Sequence, residues 1–182
     1  MGLTLIVGKG DLSQAVHKKI PYSVIVGRPE YDLSQKADCD KLIQDYFPDV
    51  VINTVAVNET HSCWDILSTN YVSSVYLTME WLKKLEQGHI INISSTSTYW
   101  TSWPGMIDGR LCYNISKEAL SLFGKHVNRK IVDSHQITVS TIELGAFKSK
   151  FNNYTGSMPL ERAADIVVDC VNNPMTQISC IK

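Results

Sequence analysis

Tyr113 and Lys117 stand four residues apart at the start of a run with helical periodicity. That spacing puts both side chains on one face, one turn apart. A neighbouring ammonium favours phenolate over phenol, so Lys117 is expected to lower the Tyr113 pKa from its ordinary value of about 10. A tyrosine tuned in this way is a general acid and base for interconverting a hydroxyl and a carbonyl. Ser94 and Ser95 close an apolar run, residues 90–93, that reads as a strand. The carboxyl edge of such a strand is where open α/β sheets bind ligands, and there the Ser95 hydroxyl can hydrogen-bond a substrate oxygen. Ser94 and Ser97 are the alternatives for that role.

A second constellation lies at the other end of the chain. Gly8, Lys9, Gly10, Asp11, Leu12 and Ser13 follow the first apolar run and open the first helical one. Two glycines there allow a tight turn and close approach of a pyrophosphate, which the helix N-terminus attracts with free N–H groups and its dipole. Ser13 takes the place of a third glycine and is small enough for helix–strand packing. Arg28, after the second apolar run, and Lys9 supply cations where the 2′-phosphate of NADP(H) would sit. Asp32 supplies the competing reading, a carboxylate that holds the ribose 2′-hydroxyl of NAD(H).

The elements that must position these groups follow from periodicity. Strands are expected over 3–7, 22–26, 50–57, 90–93, 137–142 and 177–181, and helices over 11–20, 36–47, 63–87, 113–132 and 160–171. Residues 96–111 read as a loop, in which Tyr99, Trp100, Trp103 and Met106 are either a lid or an apolar patch. Short apolar strands alternating with longer helices imply right-handed crossovers and a parallel sheet covered on both faces. No repeat or linker divides the chain, so residues 1–182 are expected to form a single doubly wound α/β domain.

Composition narrows the partners. The 182 residues carry 17 Lys and Arg against 18 Asp and Glu, a formal net charge of -1, which speaks against nucleic acid or an anionic membrane as a partner held by bulk charge. No apolar run approaches the roughly 18 residues of a membrane span, and the first ten residues lack the pattern of a secretory leader. The five cysteines, Cys39, Cys63, Cys112, Cys170 and Cys180, are odd in number and scattered. They are expected to be free thiols of a cytoplasmic protein. The histidines share no ligand spacing, so no metal site is expected.

Taken together, these residues resemble the short-chain dehydrogenase/reductase family, from about residue 3 to residue 171. The resemblance implies a Rossmann-type domain and an NADP(H)-dependent oxidoreductase, with NAD(H) as the other cofactor. It implies hydride transfer between nicotinamide and a small carbonyl or alcohol substrate. On it, Ser95, Tyr113 and Lys117 are the catalytic serine, tyrosine and lysine, and Asn70 supports a proton relay. Lys117 also holds the nicotinamide ribose. The Asn53–Val55 stretch lines the adenosine side, Asp32 and Leu33 meet the adenine, and Gly145 and Ser149 belong to the segment that contacts the nicotinamide amide. Pairing through the two long helices into a homodimer or homotetramer is implied as well. The chain departs from the family in four places, one of them the short stretch from Gly145 to Pro159. There is no room for a helix between residues 28 and 32, so the next strand of the family should be very short or absent. The interval from Ser95 to Tyr113 is stretched, and Leu144 stands where the family has proline. These departures motivate an alternative, a non-catalytic nucleotide-binding sensor or scaffold with the same fold.

Overall fold

The computed structural model describes residues 2–96, 109–131, 136–175 and 177–179. Among these, six parallel strands form one sheet: β1 (Thr4–Val7), β2 (Val24–Val26), β3 (Val50–Asn53), β4 (Gln87–Ser95), β5 (Gln136–Leu144) and β6 (Gln177–Ser179). Their spatial order is β2-β1-β3-β4-β5-β6. The helices are α1 (Asp11–Lys19), α2 (Lys36–Asp45), α3 (Cys63–Leu67), α4 (Ser73–Lys84), α5 (Gly109–Ile131) and α6 (Leu160–Asn172). The sheet runs outward from β1 in both directions, so the carboxyl ends of β1 and β3 flank the switch point at which such sheets open a crevice.

Strand periodicity explains both layers. Leu5 and Val7 point to one face, with Val51, Ile90 and Val139, and meet Leu42 of α2, Trp81 of α4 and Val127 of α5. Ile6, Ile52, Ile91 and Ile142 point to the other, against Leu12 and Val16 of α1 and Ala163 and Val167 of α6. Alternate residues of each strand are thus buried on opposite faces, which is why the strands read as unbroken apolar runs. The doubly wound parallel architecture expected from the sequence is present, and no strand lies between β2 and α2, as expected.

Several expectations are corrected. The helix read over 63–87 is interrupted by a π-helical turn, Ser68–Val72, between α3 and α4. Ser62 caps its start by accepting from the Asp65 N–H at 3.1 Å. β3 stops at Asn53 rather than residue 57; the Thr54 N–H still makes a ladder bond to the Val7 carbonyl at 2.8 Å, and its hydroxyl donates to the same carbonyl at 2.9 Å. β4 starts at Gln87, through Gly88, where a Cβ would lie 2.7 Å from the Asp49 carbonyl oxygen of the neighbouring chain segment. α5 begins at Gly109, a turn before the expected start. Residues Ser97, Tyr99, Trp100, Trp103, Met106 and Cys180 lie outside the described residues.

The cysteine reading is also corrected. Cys63 and Cys112 form a disulfide across 49 residues, with Cα atoms 5.4 Å apart, while Cys39 and Cys170 are free and buried. Scatter along the sequence did not reveal this pair, because α3 and α5 pack side by side in the fold. The cysteine pattern therefore no longer supports a reducing compartment. Among the described residues no helix is long and apolar enough to cross a membrane.

Candidate active site

The site is built around the carboxyl ends of β1, β3, β4 and β5. α5 crosses β4 so that Tyr113 and Lys117 face the sheet edge on successive turns. Lys117 is buried, and its Nζ donates to the Ile93 carbonyl at 2.9 Å. Ser94 donates to the Lys117 carbonyl at 2.7 Å and accepts from the Ser121 hydroxyl at 2.8 Å. Ser94 is thus spent on joining β4 to α5. Ser95 is the serine whose hydroxyl bonds Tyr113. The strand pleat separates the two roles, since adjacent residues point to opposite faces.

Burial sets the charge state of the pair. It pushes the Tyr113 hydroxyl up to about 12, opposed by the Ser95 hydrogen bond and reinforced by the Glu59 carboxylate. It pushes the Lys117 ammonium down to about 8. The expected lowering of the Tyr113 pKa is therefore not found. The ammonium sits 5.9 Å from the centre of the tyrosine ring and is committed to a carbonyl, so loss of water outweighs its attraction.

A cleft of about 660 Å³ joins these groups to the glycine turn, with Gly8–Ser13, Val55, Ser95, Tyr113, Lys117, Gly145 and Ser149 all on its wall. Gly8 has φ +112, and a Cβ there would lie 2.5 Å from the Thr54 hydroxyl, so only glycine suits the turn. Gly10 has an ordinary φ of -76 at the N-cap of α1, yet a Cβ added to it would meet nothing within 4 Å. Open space thus lies against the N-terminus of α1, where the backbone N–H groups of the first turn are directed. Residues and space together fit a dinucleotide pyrophosphate. Ser13 is fully buried and bonds the Thr54 hydroxyl at 2.7 Å, which fixes the helix start to β3.

The remaining expected residues lie outside the cleft wall. Asn53 is buried, its amide nitrogen donating to Asn92 at 3.2 Å and its oxygen accepting from the Val55 N–H at 3.3 Å. Asn70, in the π-helical turn, is fully buried. Its side-chain oxygen accepts from the Val57 N–H at 2.7 Å, and its nitrogen donates to the Val57 carbonyl at 2.9 Å and to Ser116 at 3.3 Å. Its amide holds the loop after β3 against α5. Leu33 is buried in the core beside Cys39. Arg28 and Asp32 pair with each other at 2.8 Å beyond the glycine turn, and Lys9 pairs with Glu30. The Arg28 hydrogen bond holds the Asp32 carboxyl below its usual range.

Five wall residues were not anticipated from the sequence: Glu59, Arg110, Lys150, Phe151 and Asn152. Arg110 lies 3.9 Å from Glu59 across the end of the cleft beside Tyr113. Phe151 packs on the Tyr113 ring with centroids 5.8 Å apart, and its carbonyl accepts from the Asn58 amide at 3.1 Å. Glu59 comes from a turn, and Phe151 and Asn152 from a single 3-10 turn, Lys150–Asn152, neither with a periodic signal. The helix position of Arg110, three residues before Tyr113, is the one clue that was available.

A family model described as short chain dehydrogenase matches residues 26–159. No curated protein matches the chain. Among solved structures, a short-chain dehydrogenase from Burkholderia cenocepacia in complex with NADP superposes with TM-score 0.83 at 12% identity, covering 100% of this chain and 88% of that one. The 3-alpha-hydroxysteroid dehydrogenase from a Pseudomonas species, complexed with NADH, gives 0.81 at 13% identity, with 97% and 94% covered. A short chain dehydrogenase family protein from Francisella tularensis gives 0.76 at 15% identity, with 98% and 96% covered. At such identities these likenesses establish the fold.

Proposed function

We propose a function from one premise: this chain belongs to the short-chain dehydrogenase family, a family of oxidoreductases that use a nicotinamide cofactor. The chain acts as an NADP(H)-dependent enzyme that interconverts a small carbonyl compound and its alcohol, with residues 1–182 as one catalytic domain. The observation that carries this reading is the meeting of Ser95, Tyr113 and Lys117 in one cleft with the glycine turn.

Gly8–Ser13 would hold the pyrophosphate, Gly145 and Ser149 the nicotinamide end, and Lys117 the nicotinamide ribose. A bound nicotinamide supplies or accepts the hydride. The chain's own residues handle the oxygen and its proton. Ser95 hydrogen-bonds the substrate oxygen and orients it. Tyr113, protonated at neutral pH, gives that oxygen its proton during reduction and recovers it during oxidation. Lys117 is still charged at neutral pH and stabilises the phenolate left behind. Asn70 keeps Val57 and Ser116 in place behind this pair.

The preference for NADP(H) rests on the charges after β2. Asp32 Oδ1 is already taken by Arg28 at 2.8 Å and by the Ser34 N–H and hydroxyl at 3.1 and 2.8 Å. The Arg28 side chain is 59% exposed and keeps donors for a phosphate. A homo-oligomer, a dimer or tetramer, belongs to the same reading. Val72 and Met79 beside and on α4, and Leu111, Ile115 and Leu122 along α5, form apolar stripes on the outside of the fold.

Thermal-shift titration with NADPH and NADH tests the cofactor. Saturation at one hundred times Kd stabilises by about 2.7 kcal/mol, which for a chain of this size raises Tm by roughly 5–10 °C. A shift larger with NADPH than with NADH, followed by NADPH oxidation in the presence of a small ketone or aldehyde, is the expected result. No shift with either cofactor would refute the enzyme reading.

A further inference from the structure

Tyr113 and Lys117 are one turn apart, but their turns are anchored differently. The Lys117 turn is joined to β4 through the Lys117 Nζ–Ile93 bond and the Ser94 bond to the Lys117 carbonyl. The Tyr113 turn meets the sheet edge through the Ser95 hydroxyl and is backed by the Phe151 ring. Beside these and the contacts of Arg110 with Glu59 and of Ser116 with Asn70, it has a covalent tie. Cys112, the residue before Tyr113, is bonded to Cys63, the first residue of α3. Cys63 is exposed and Cys112 half-buried, so the bond can be reached from solvent.

We propose that the Cys63–Cys112 disulfide is a positioning tether for Tyr113, and that a dithiol opens it and thereby slows proton transfer while leaving the cofactor site intact. This rests on the reductase reading above. Opening is a balanced exchange. One thiolate of the dithiol attacks the exposed Cys63 sulfur, and the bond to Cys112 breaks, with Cys112 leaving as a thiolate that takes up a proton. The second thiol then attacks the mixed disulfide. Cys63 is released as a thiol, and the reductant closes its own disulfide. Two electrons and two protons have passed to the protein.

The consequence is uneven along α5. Once the bond is open, α3 and the first turns of α5 are no longer held at one distance. None of the hydrogen bonds that fix Lys117 involves either cysteine. Tyr113 therefore loses register with Ser95, whereas Lys117 and the glycine turn keep theirs. An ångström-scale misplacement of a proton donor is enough to lower a rate by one or two orders of magnitude.

Reduction of the native enzyme by dithiothreitol, followed by steady-state kinetics, tests this. Titration of accessible thiols should show two more after reduction. The kcat should fall roughly tenfold or more, with KM and the cofactor Kd within about twofold, and reoxidation should restore it. The C63S/C112S variant should have the low kcat and no response to dithiol. A bond that only adds stability would lower Tm and leave kcat unchanged, and that result overturns the proposal. Native hydrogen exchange supplies a readout that needs no turnover. On reduction, residues 110–116 should lose protection while 117–127 keep it. Equal loss in both stretches, or loss in neither, refutes the tether even if the protein reduces no carbonyl. Absence of turnover with selective loss over 110–116 would refute the reductase reading and keep the tether.

Discussion

The two sides of the cleft are built on different lengths of strand. β4 and β5 run nine residues each and pair over nine register positions, from Gln87–Gln136 to Ser95–Leu144. β2 has three residues and pairs with β1 at three positions. On the long side, buried side chains continue to the carboxyl edge, so Ser95 and Lys117 are fixed by the sheet itself. On the short side the chain leaves the sheet at Gly27, and its charges pair with one another: Arg28 with Asp32 and Lys9 with Glu30. On the proposed function, chemistry sits where long strands give rigidity, and cofactor discrimination where a loop of exposed ion pairs can change with little effect on the core.

The largest effect should come from breaking the rigid side at its proton donor. Tyr113→Phe keeps the ring on Phe151 and removes the hydroxyl. The kcat should fall by about 10²–10⁴, with the NADPH Kd unchanged by fluorescence titration. The wild-type reduction rate should also fall as pH rises through about 8, where Lys117 loses its proton. If Tyr113→Phe retains full turnover, the long side carries no acid–base chemistry.

How much of this difference was legible in the sequence depends on range. The Tyr113–Lys117 pair and the glycine turn were legible because each is a local pattern whose spacing fixes its geometry. The absence of a strand between β2 and α2 was legible from the few residues separating Arg28 and Asp32. The Cys63–Cys112 bond was not, because only the packing of α3 on α5 brings the two together. The π-helical turn at Asn70 was hidden by a sequence whose periodicity suits one continuous helix. The inward direction of Leu33 and the Asn53–Asn92 bond also depend on tertiary partners. The raised Tyr113 pKa was missed for a related reason: spacing shows that an ammonium is near, but not how much water the fold removes.

The next effect is on the foundation of the long side. His89 of β4 is buried, and its Nε2 lies 2.6 Å from the Ser140 hydroxyl of β5. Ser140 donates to the Met175 carbonyl, so it must accept from Nε2–H. Nδ1 is then a bare acceptor, buried without a hydrogen-bond partner among the described residues. Burial pushes the imidazole down to about 4 from 6.5. The unfolded chain takes up the proton first, so the stability from neutral His89 is complete above about 6.5 and is lost as pH falls through 4. By pH 4.5 the wild type should lose about 2–3 kcal/mol that His89→Gln does not lose. Urea unfolding of both proteins at neutral pH and at pH 4.5 measures this, and parallel losses would contradict it.

Gly10 lies between the two sides and separates stability from binding. Its backbone suits any residue, and the space beside it is open. Gly10→Val should therefore lower Tm by only about 2–4 °C, since valine is a poorer N-cap than glycine by about 1 kcal/mol. The added side chain would occupy the place of the pyrophosphate, and the NADPH Kd should rise by about tenfold or more. A variant that binds as well as the wild type would put the phosphates elsewhere.

The smallest effect belongs to the short side and bears on its role directly. If Arg28 reads a 2′-phosphate, its exposed guanidinium contributes one charge-assisted contact in water, worth about 1 kcal/mol, or roughly fivefold in Kd. Arg28→Ala should weaken NADPH by that factor and should not weaken NADH. It should also release Asp32, whose carboxyl the Arg28 hydrogen bond holds below its usual range. Released, Asp32 is the group best placed to accept from a ribose 2′-hydroxyl. NADH binding that tightens in Arg28→Ala and returns to the wild-type value in Arg28→Ala/Asp32→Ala would show the two residues acting as one selector. Equal weakening of both cofactors would instead assign Arg28 to holding the loop after β2, and the selectivity of the cleft would then lie with Lys9 and the glycine turn.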